Sequence, residues 1–373
     1  MNRYSRKKKS RRTRFWPLLL LLGIAMIATG AWLLHREGYL FPAQDPPSVV
    51  TTDTTDVTDT DTQTDVTTDT DDPPAPLPPK PDTDPAAEIS FAADTFADLT
   101  FTAKHLMVYD LTADAVLFEK DTASSITAAS TTKLLTALTM LDHVVPETRF
   151  TVGSELSLVG KGSSTAKLKK GMVFTTEQIL DAMLLPSGND AAYVIAVQVG
   201  RMVAEDPEIT DKEGLAIFLQ LMNEKAAALG AGSSLFTCPD GYPGGSQHTT
   251  VQDMMKIAIA AMKNEAIANS CRKTFAEYTL PDGRKISFTS TNQLILPSSQ
   301  FYYEGAVGLK TGYTEKAGQC IVGAARLNGH TVIAAVYNAP DPDARWKDCR
   351  KAFNAAFDAV EKAQAAYAQR PAA

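Results

Sequence analysis

The chain has 373 residues, 44% of them hydrophobic and 21% charged, which excludes a wholly disordered polypeptide and allows at least one substantial core. Its formal net charge of −7 is a sum of opposed segments and not a uniform acidic surface.

Residues 1–14 hold eight Lys and Arg and no acid, and residues 15–34 then run without a charge. Twenty apolar residues in a helix cross roughly 30 Å of hydrocarbon. The pair predicts a cytoplasmic basic segment followed by a transmembrane anchor, with everything after it outside the cytoplasm. The basic cluster is then a topology signal and not a nucleic-acid arm. Ala28-Thr29-Gly30 also fits a signal-peptidase site, which would leave the protein secreted, but Ala31-Trp32-Leu33-Leu34 prolongs the apolar run and favours an uncleaved anchor. Residues 35–87 are expected to be a disordered linker: threonine alternates with aspartate from Thr51 to Asp72, and Pro73 to Pro85 is proline-rich.

The globular domain is predicted over residues 88–373. His105–Asp110 and Ala115–Glu119 read as a hairpin. Apolar residues at helical spacing predict helices from Lys133 onward and over 176–185, 190–200, 213–229 and 251–264. Residues 305–311, 319–326 and 331–337 read as strands, and 345–366 as a closing helix. Strands at both ends of a helical middle predict an α+β domain, an antiparallel sheet flanked by helices with a helical subdomain.

Three motifs carry the chemistry. The first is Ala128-Ala129-Ser130-Thr131-Thr132-Lys133, opening an apolar helical run with one buried face. A serine and a lysine three apart share one helix face, so the Lys133 amine reaches the Ser130 hydroxyl as a base beside a weak nucleophile. Ser130 as an N-cap and Lys133 as a solvated first-turn lysine would leave the same pattern. Ser5/Lys8, Ser164/Lys167 and Ser270/Lys273 repeat the spacing, but only Ser130 heads an apolar helix. The second motif, Ser187-Gly188-Asn189, lies where Pro186 and Gly188 break the helical pattern and leave two polar side chains on a turn. Ser290-Thr291-Asn292 matches it too. The third, Lys310-Thr311-Gly312-Tyr313, ends a strand and occurs once. A lysine and a hydroxyl there offer a cation and a donor to a carboxylate, and the glycine lets a substrate backbone approach.

In this order and context the three motifs resemble the signature of penicillin-recognising serine enzymes. The segments around Ser130, Ser187 and Lys310 are similar to the low-molecular-mass D-alanyl-D-alanine carboxypeptidases of serine peptidase family S11, over roughly residues 88–360. The resemblance implies a β-lactamase/transpeptidase-like domain. Its substrate would be peptidoglycan stem peptides ending in D-Ala-D-Ala, and β-lactams would be covalent inhibitors. Catalytic roles fall to Ser130 as nucleophile, Lys133 as its base and Ser187 as proton relay. Asn189, Lys310, Thr311, Gly312, Tyr313 and Arg345, with Arg350 as an alternative to the last, would bind substrate. The Ser130 and Tyr313 N–H groups would form an oxyanion hole. Burial and the nearby Lys310 cation would lower the Lys133 pKa towards the working pH.

In the family a loop reads Asn-Pro-His-Gly; here it is Cys238-Pro239-Asp240-Gly241-Tyr242, then Ser246-Gln247-His248, and its role stays open. Many members carry a C-terminal β domain ending in an amphipathic membrane helix; one closing helix stands here, so anchoring is expected from residues 15–34. A D,D-endopeptidase or transpeptidase would use the same acyl-enzyme, and a silent wall-binding protein would keep the cleft, though none of the three motifs is broken. A class A β-lactamase needs a Glu-x-x-x-Asn box soon after the second motif, and the one match, Glu265 to Asn269, lies far downstream. No pattern implies a metal or other cofactor; His248 reads as a structural hydrogen-bonder. Cys238, Cys271, Cys320 and Cys349 permit disulfides in three full pairings, although Cys320, on an apolar strand, reads as a buried thiol.

Overall fold

Alternation along the strands near the C-terminus divides the domain into two cores. The computed structural model describes residues 95–242 and 246–369. Strands β1 (His105–Asp110), β2 (Ala115–Lys120), β7 (Ala306–Thr314), β8 (Gly318–Leu327) and β9 (His330–Ala339) form one antiparallel sheet in the order β2-β1-β9-β8-β7. Successive side chains on a strand point to opposite faces. Val322, Ala324, Ile333 and Ala335 therefore enter one core while Ile321, Ala325, Val332 and Val336 enter the other. Helices cover both faces, so β8 and β9 read as near-continuous apolar runs. Pairing of β1 with β9 joins the first strand of the domain to its last, as the strand–helix–strand order predicts.

The closing helix α7 (Ala344–Ala368) seals one face, with Trp346, Phe353 and Phe357 buried against Leu106, Val108 and Ile321. The other face carries the helical subdomain: α1 (Lys133–Leu141), α2 (Thr176–Leu184), α3 (Asn189–Val203), α4 (Asp211–Ala228), α5 (Val251–Lys263) and α6 (Glu265–Arg272). Here α1 departs from the one-faced expectation, because every residue from Lys133 to Met140 is buried. A helix apolar on all sides belongs in the middle of a core. It packs against α3, α4 and α5 and puts its first residue, a lysine, inside the protein.

Two hairpins and one helix were not legible as elements. β3 (Arg149–Thr151) pairs with β4 (Val173–Thr175), and β5 (Phe275–Thr279) with β6 (Lys285–Thr289). The first pair is three residues long on each side, too short to show a period. The second carried a signal in Pro281-Asp282-Gly283, a turn sequence between two alternating runs. Helix α6 follows α5 directly and restarts at Asn264, whose side chain accepts from the Ile267 N–H. Three expectations lie outside the described residues: the basic segment 1–14, the anchor 15–34 and the linker 35–87. Among the described residues no helix is long and apolar enough to cross a membrane.

All four cysteines are unpaired and buried, so none of the permitted disulfides forms. Cys320 is the buried strand thiol expected. Burial pushes the thiols of Cys238, Cys271 and Cys320 up to about 12 and raises Cys349 further. A thiol-specific reagent at mildly alkaline pH is expected to label the native protein only over hours and to label four thiols at once on unfolding; rapid native labelling would contradict this burial.

Candidate active site

The first motif does not open an α-helix directly. Ala129–Thr132 forms a 3₁₀ turn, entered through Ala129 at φ 48°, and α1 begins at Lys133. Neither end of this turn uses a side-chain cap, so the Ser130 hydroxyl is not spent as the N-cap considered for it. Ser130 is half-buried and Lys133 fully buried.

Three acceptors surround the Lys133 amine: Ser130 Oγ at 3.0 Å, Asn189 Oδ1 at 2.7 Å and the Asp240 main-chain oxygen at 2.9 Å. As an ammonium, Lys133 has three N–H bonds and a partner for each. As a neutral amine it keeps the two carbonyl acceptors and turns its lone pair to the Ser130 O–H. Both protonation states thus fit one arrangement of atoms. Burial pushes the Lys133 pKa down to about 8, while the charges of Asp240, Cys238 and Asp190 work the other way. Burial is therefore the main cause. The repulsion expected from Lys310 is felt on Lys310 itself, which burial and then the Lys133 charge hold well below the usual lysine range.

The second motif is a strained turn between α2 and α3. Ser187 sits at φ 61°, and a Cβ on Gly188 would lie 2.4 Å from the Ala182 oxygen. A neighbouring loop clamps it: Ser164 Oγ donates to the Ser187 oxygen at 2.7 Å, and the Asn189 N–H donates to the Ser164 oxygen at 2.9 Å. Asp190 accepts from the Ala166 and Leu168 N–H groups at 2.8 and 2.9 Å. Asn189 is thereby fixed on Lys133.

The third motif lies within β7, which runs to Thr314 and not to the predicted end at Thr311. β7 is an edge strand, so one side of its backbone is free of sheet partners. That side meets the Ser130 turn. A Cβ on Gly312 would stand 3.0 Å from both the Ala129 Cβ and the Ser130 nitrogen. Thr311 Oγ1 shares a hydrogen bond of 2.8 Å with Thr291 Oγ1, Lys310 Nζ donates to the Thr311 oxygen at 3.1 Å, and Tyr313 is exposed. Arg345 Nη1 donates to the Gly312 oxygen at 3.1 Å from α7, whereas Arg350 reaches only the Gln300 oxygen at 3.3 Å. Of the two, Arg345 is the one in contact with the third motif.

Sequence reasoning left the Cys238–Tyr242 loop open, and it proves part of the site. Thr136 Oγ1 donates to the Pro239 oxygen at 2.5 Å, and Gln247 spans from the Thr237 and Cys238 N–H groups to Thr132. Gly241, at φ +75°, lies so close to the Ser130 turn that a Cβ would fall 1.7 Å from the Ala129 oxygen. Thr291 was visible only as part of a competing Ser-x-Asn. The remaining Ser-x-x-Lys pairs in the described residues serve structure: Ser164 clamps the second motif, and Ser270 and Lys273 both bind Asp181. His248 Nδ1 lies 2.9 Å from the Ser246 oxygen, the structural role expected of it.

A buried lysine beside a serine hydroxyl, next to a free strand edge with two further lysine and threonine groups, can activate a nucleophile against an extended peptide ending in a carboxylate. A family model described as D-alanyl-D-alanine carboxypeptidase, peptidase S11, matches residues 92–341. A D-alanyl-D-alanine carboxypeptidase of Mycobacterium tuberculosis is 34% identical over 238 residues, covering 63% of this chain and 74% of the relative. One from Streptomyces sp. strain K15 is 31% identical over 250 residues, covering 65% and 82%. The crystal structure of the Streptomyces K15 DD-transpeptidase matches with a TM-score of 0.64 at 29% identity, over 70% of this chain and 98% of that one.

Because a Cβ at residue 241 strikes main chain and not a movable side chain, Gly241→Ala is expected to cost about 2 kcal/mol or more, read as a lowered urea midpoint. An unchanged midpoint would contradict the contact.

Proposed function

The chain belongs to the D-alanyl-D-alanine carboxypeptidase family of serine peptidases, and from its site we propose that Ser130, Lys133 and Ser187 carry out the hydrolysis through an acyl-enzyme. The protein is a serine-type D-Ala-D-Ala carboxypeptidase acting on peptidoglycan stem peptides. The single observation that supports this assignment of roles is the buried Lys133 amine, 3.0 Å from Ser130 Oγ and shifted down to about 8.

Neutral Lys133 accepts the Ser130 proton as Oγ attacks the carbonyl between the two D-alanines. The negative oxygen formed is met by the Ser130 and Tyr313 N–H groups, donors of a kind worth about 3 kcal/mol each. The C–N bond then breaks, and the proton passes by way of Ser187 to the leaving D-alanine amine. Water attacks the ester and restores Ser130. Asn189 has its carbonyl oxygen on Lys133, which leaves its NH₂ for a substrate amide. Thr311 and Lys310 take the terminal carboxylate, while Arg345 braces that strand through the Gly312 oxygen. β-Lactams enter by the same attack and stay as esters.

An amine in place of water would turn the same intermediate to transpeptidation, the activity for which the K15 protein of the matching crystal structure is named. A basic segment before an uncharged run of residues 15–34 supports a single-pass anchor, with the linker 35–87 carrying domain 88–373 outside the cytoplasm.

Intact mass after incubation with benzylpenicillin is expected to show one penicilloyl group on the full chain and none on Ser130→Ala. The same variant is expected to release D-alanine from a D-Ala-D-Ala peptide about 10³-fold more slowly or worse. An adduct that survives Ser130→Ala would contradict these roles, and added amine acceptors show whether water or an amine completes turnover.

A further inference from the structure

Asp240 is a buried carboxylate, 1% exposed, that the mechanism above does not use. It lies in the loop whose sequence departs from the family pattern. Its Oδ1 accepts from the Tyr242 N–H at 3.1 Å, while Oδ2 is buried with no hydrogen bond of ordinary geometry, the Cys238 thiol facing the carboxylate. Buried polar atoms are nearly always paired, so a lone carboxylate oxygen calls for a compensating charge. The same residue gives its main-chain oxygen to Lys133 Nζ at 2.9 Å, and its carboxylate charge acts on that buried amine through space, with no direct ion pair between them.

We propose that the Asp240 carboxylate is a positioning residue for the reaction, supporting the ammonium that Lys133 becomes when it takes the Ser130 proton. The inference rests on Lys133 acting as that base. Five titratable groups face this space from the surrounding elements. Asp190 and Tyr193 come from α3, Lys310 from β7, and Cys238 and Asp240 from the loop. Burial raises Tyr193 above its ordinary range and Cys238 to about 12, so both stand neutral. Lys310 opposes a second cation. Asp190 has both oxygens committed, Oδ1 to Ala166 and Ala191 N–H groups and Oδ2 to Leu168. Asp240 is left as the acid whose charge acts most strongly on the amine, with the neutral Cys238 thiol beside its carboxylate.

Two consequences have opposite signs. A carboxylate nearby raises the affinity of Lys133 for a proton, which strengthens the base but leaves less of it neutral at a given pH. Removing the charge should shift acylation towards lower pH and weaken it on the plateau. The main-chain oxygen, which Asn also supplies, is untouched by such a change.

The test is the benzylpenicillin acylation rate of the full-length protein from about pH 6 to about pH 10, for wild type, Asp240→Asn and Asp240→Glu. Asp240→Asn is expected to lower the midpoint of the acid limb by about one unit or more, with a slower plateau. Asp240→Glu keeps the charge and is expected to stay within about half a unit of wild type. An Asn midpoint that is unchanged or raised overturns the proposal, as does a Glu variant displaced as far as Asn. If Asp240→Asn does not fold, shown by loss of its thermal transition, Asp240→Ser takes its place, with the same downward shift expected and an unchanged or raised midpoint overturning the proposal. Failure of the base assignment looks different: wild type itself would form no adduct on Ser130, or acylation would survive Lys133→Ala with its acid limb intact.

Discussion

An amine sealed away from water, with every hydrogen bond answered, is the constraint on which this molecule is built. Lys133 starts a helix that is buried on all sides, and its acceptors come from three separate places in the chain: the turn before it, the start of α3 and the Cys238–Tyr242 loop. A shift from 10.5 to about 8 corresponds to about 3 kcal/mol of preference for the neutral form. That free energy is supplied by the packing of the helical subdomain, and it leaves an amine that is half-neutral near pH 8. In the ammonium form, losing any one acceptor would strand a buried donor, so the three segments hold one another in place.

The sheet has the complementary task of presenting an unpaired edge. β7 is last in the order β2-β1-β9-β8-β7, and glycines let it and the 238–242 loop close on the Ser130 turn from two sides. Gly312 meets the Ser130 nitrogen, and Gly241 meets the Ala129 oxygen. The turn between them is strained at Ala129, and the second motif is strained at Ser187, so both serines sit in backbone that the surroundings over-determine. Arg345 closes the arrangement from behind. Its guanidinium binds the Gly312 oxygen and lies 4.5 Å over the Trp346 ring, tying β7 to the second core.

Much of this was legible because chemistry and periodicity coincide. The Ser130, Ser187 and Lys310 motifs stand in local sequence contexts that survive folding, and the long strands announce themselves through apolar runs. What could not be read was contributed by atoms that carry no sequence signature. The third partner of Lys133 is a main-chain oxygen, and any residue at 240 would offer one. Thr291 joins Thr311 across a gap of twenty residues through a hydroxyl pair that no spacing rule encodes. The cysteines show the converse: an even count allowed bridges, but packing buried each thiol apart. Ser270 and Lys273 share the spacing of Ser130 and Lys133, yet Asp181 claims both side chains, and only tertiary structure separates the two pairs.

The most direct measurement is the ionisation of Lys133 itself, followed by NMR of lysine side chains labelled with ¹³C and ¹⁵N, with the signal assigned by its loss in Lys133→Arg. A midpoint near 8, well apart from the other lysines, is the result this account predicts. A Lys133 signal that titrates with the surface lysines, near their ordinary 10.4 or so, would contradict it, because a lysine charged throughout the working range has no lone pair to offer Ser130.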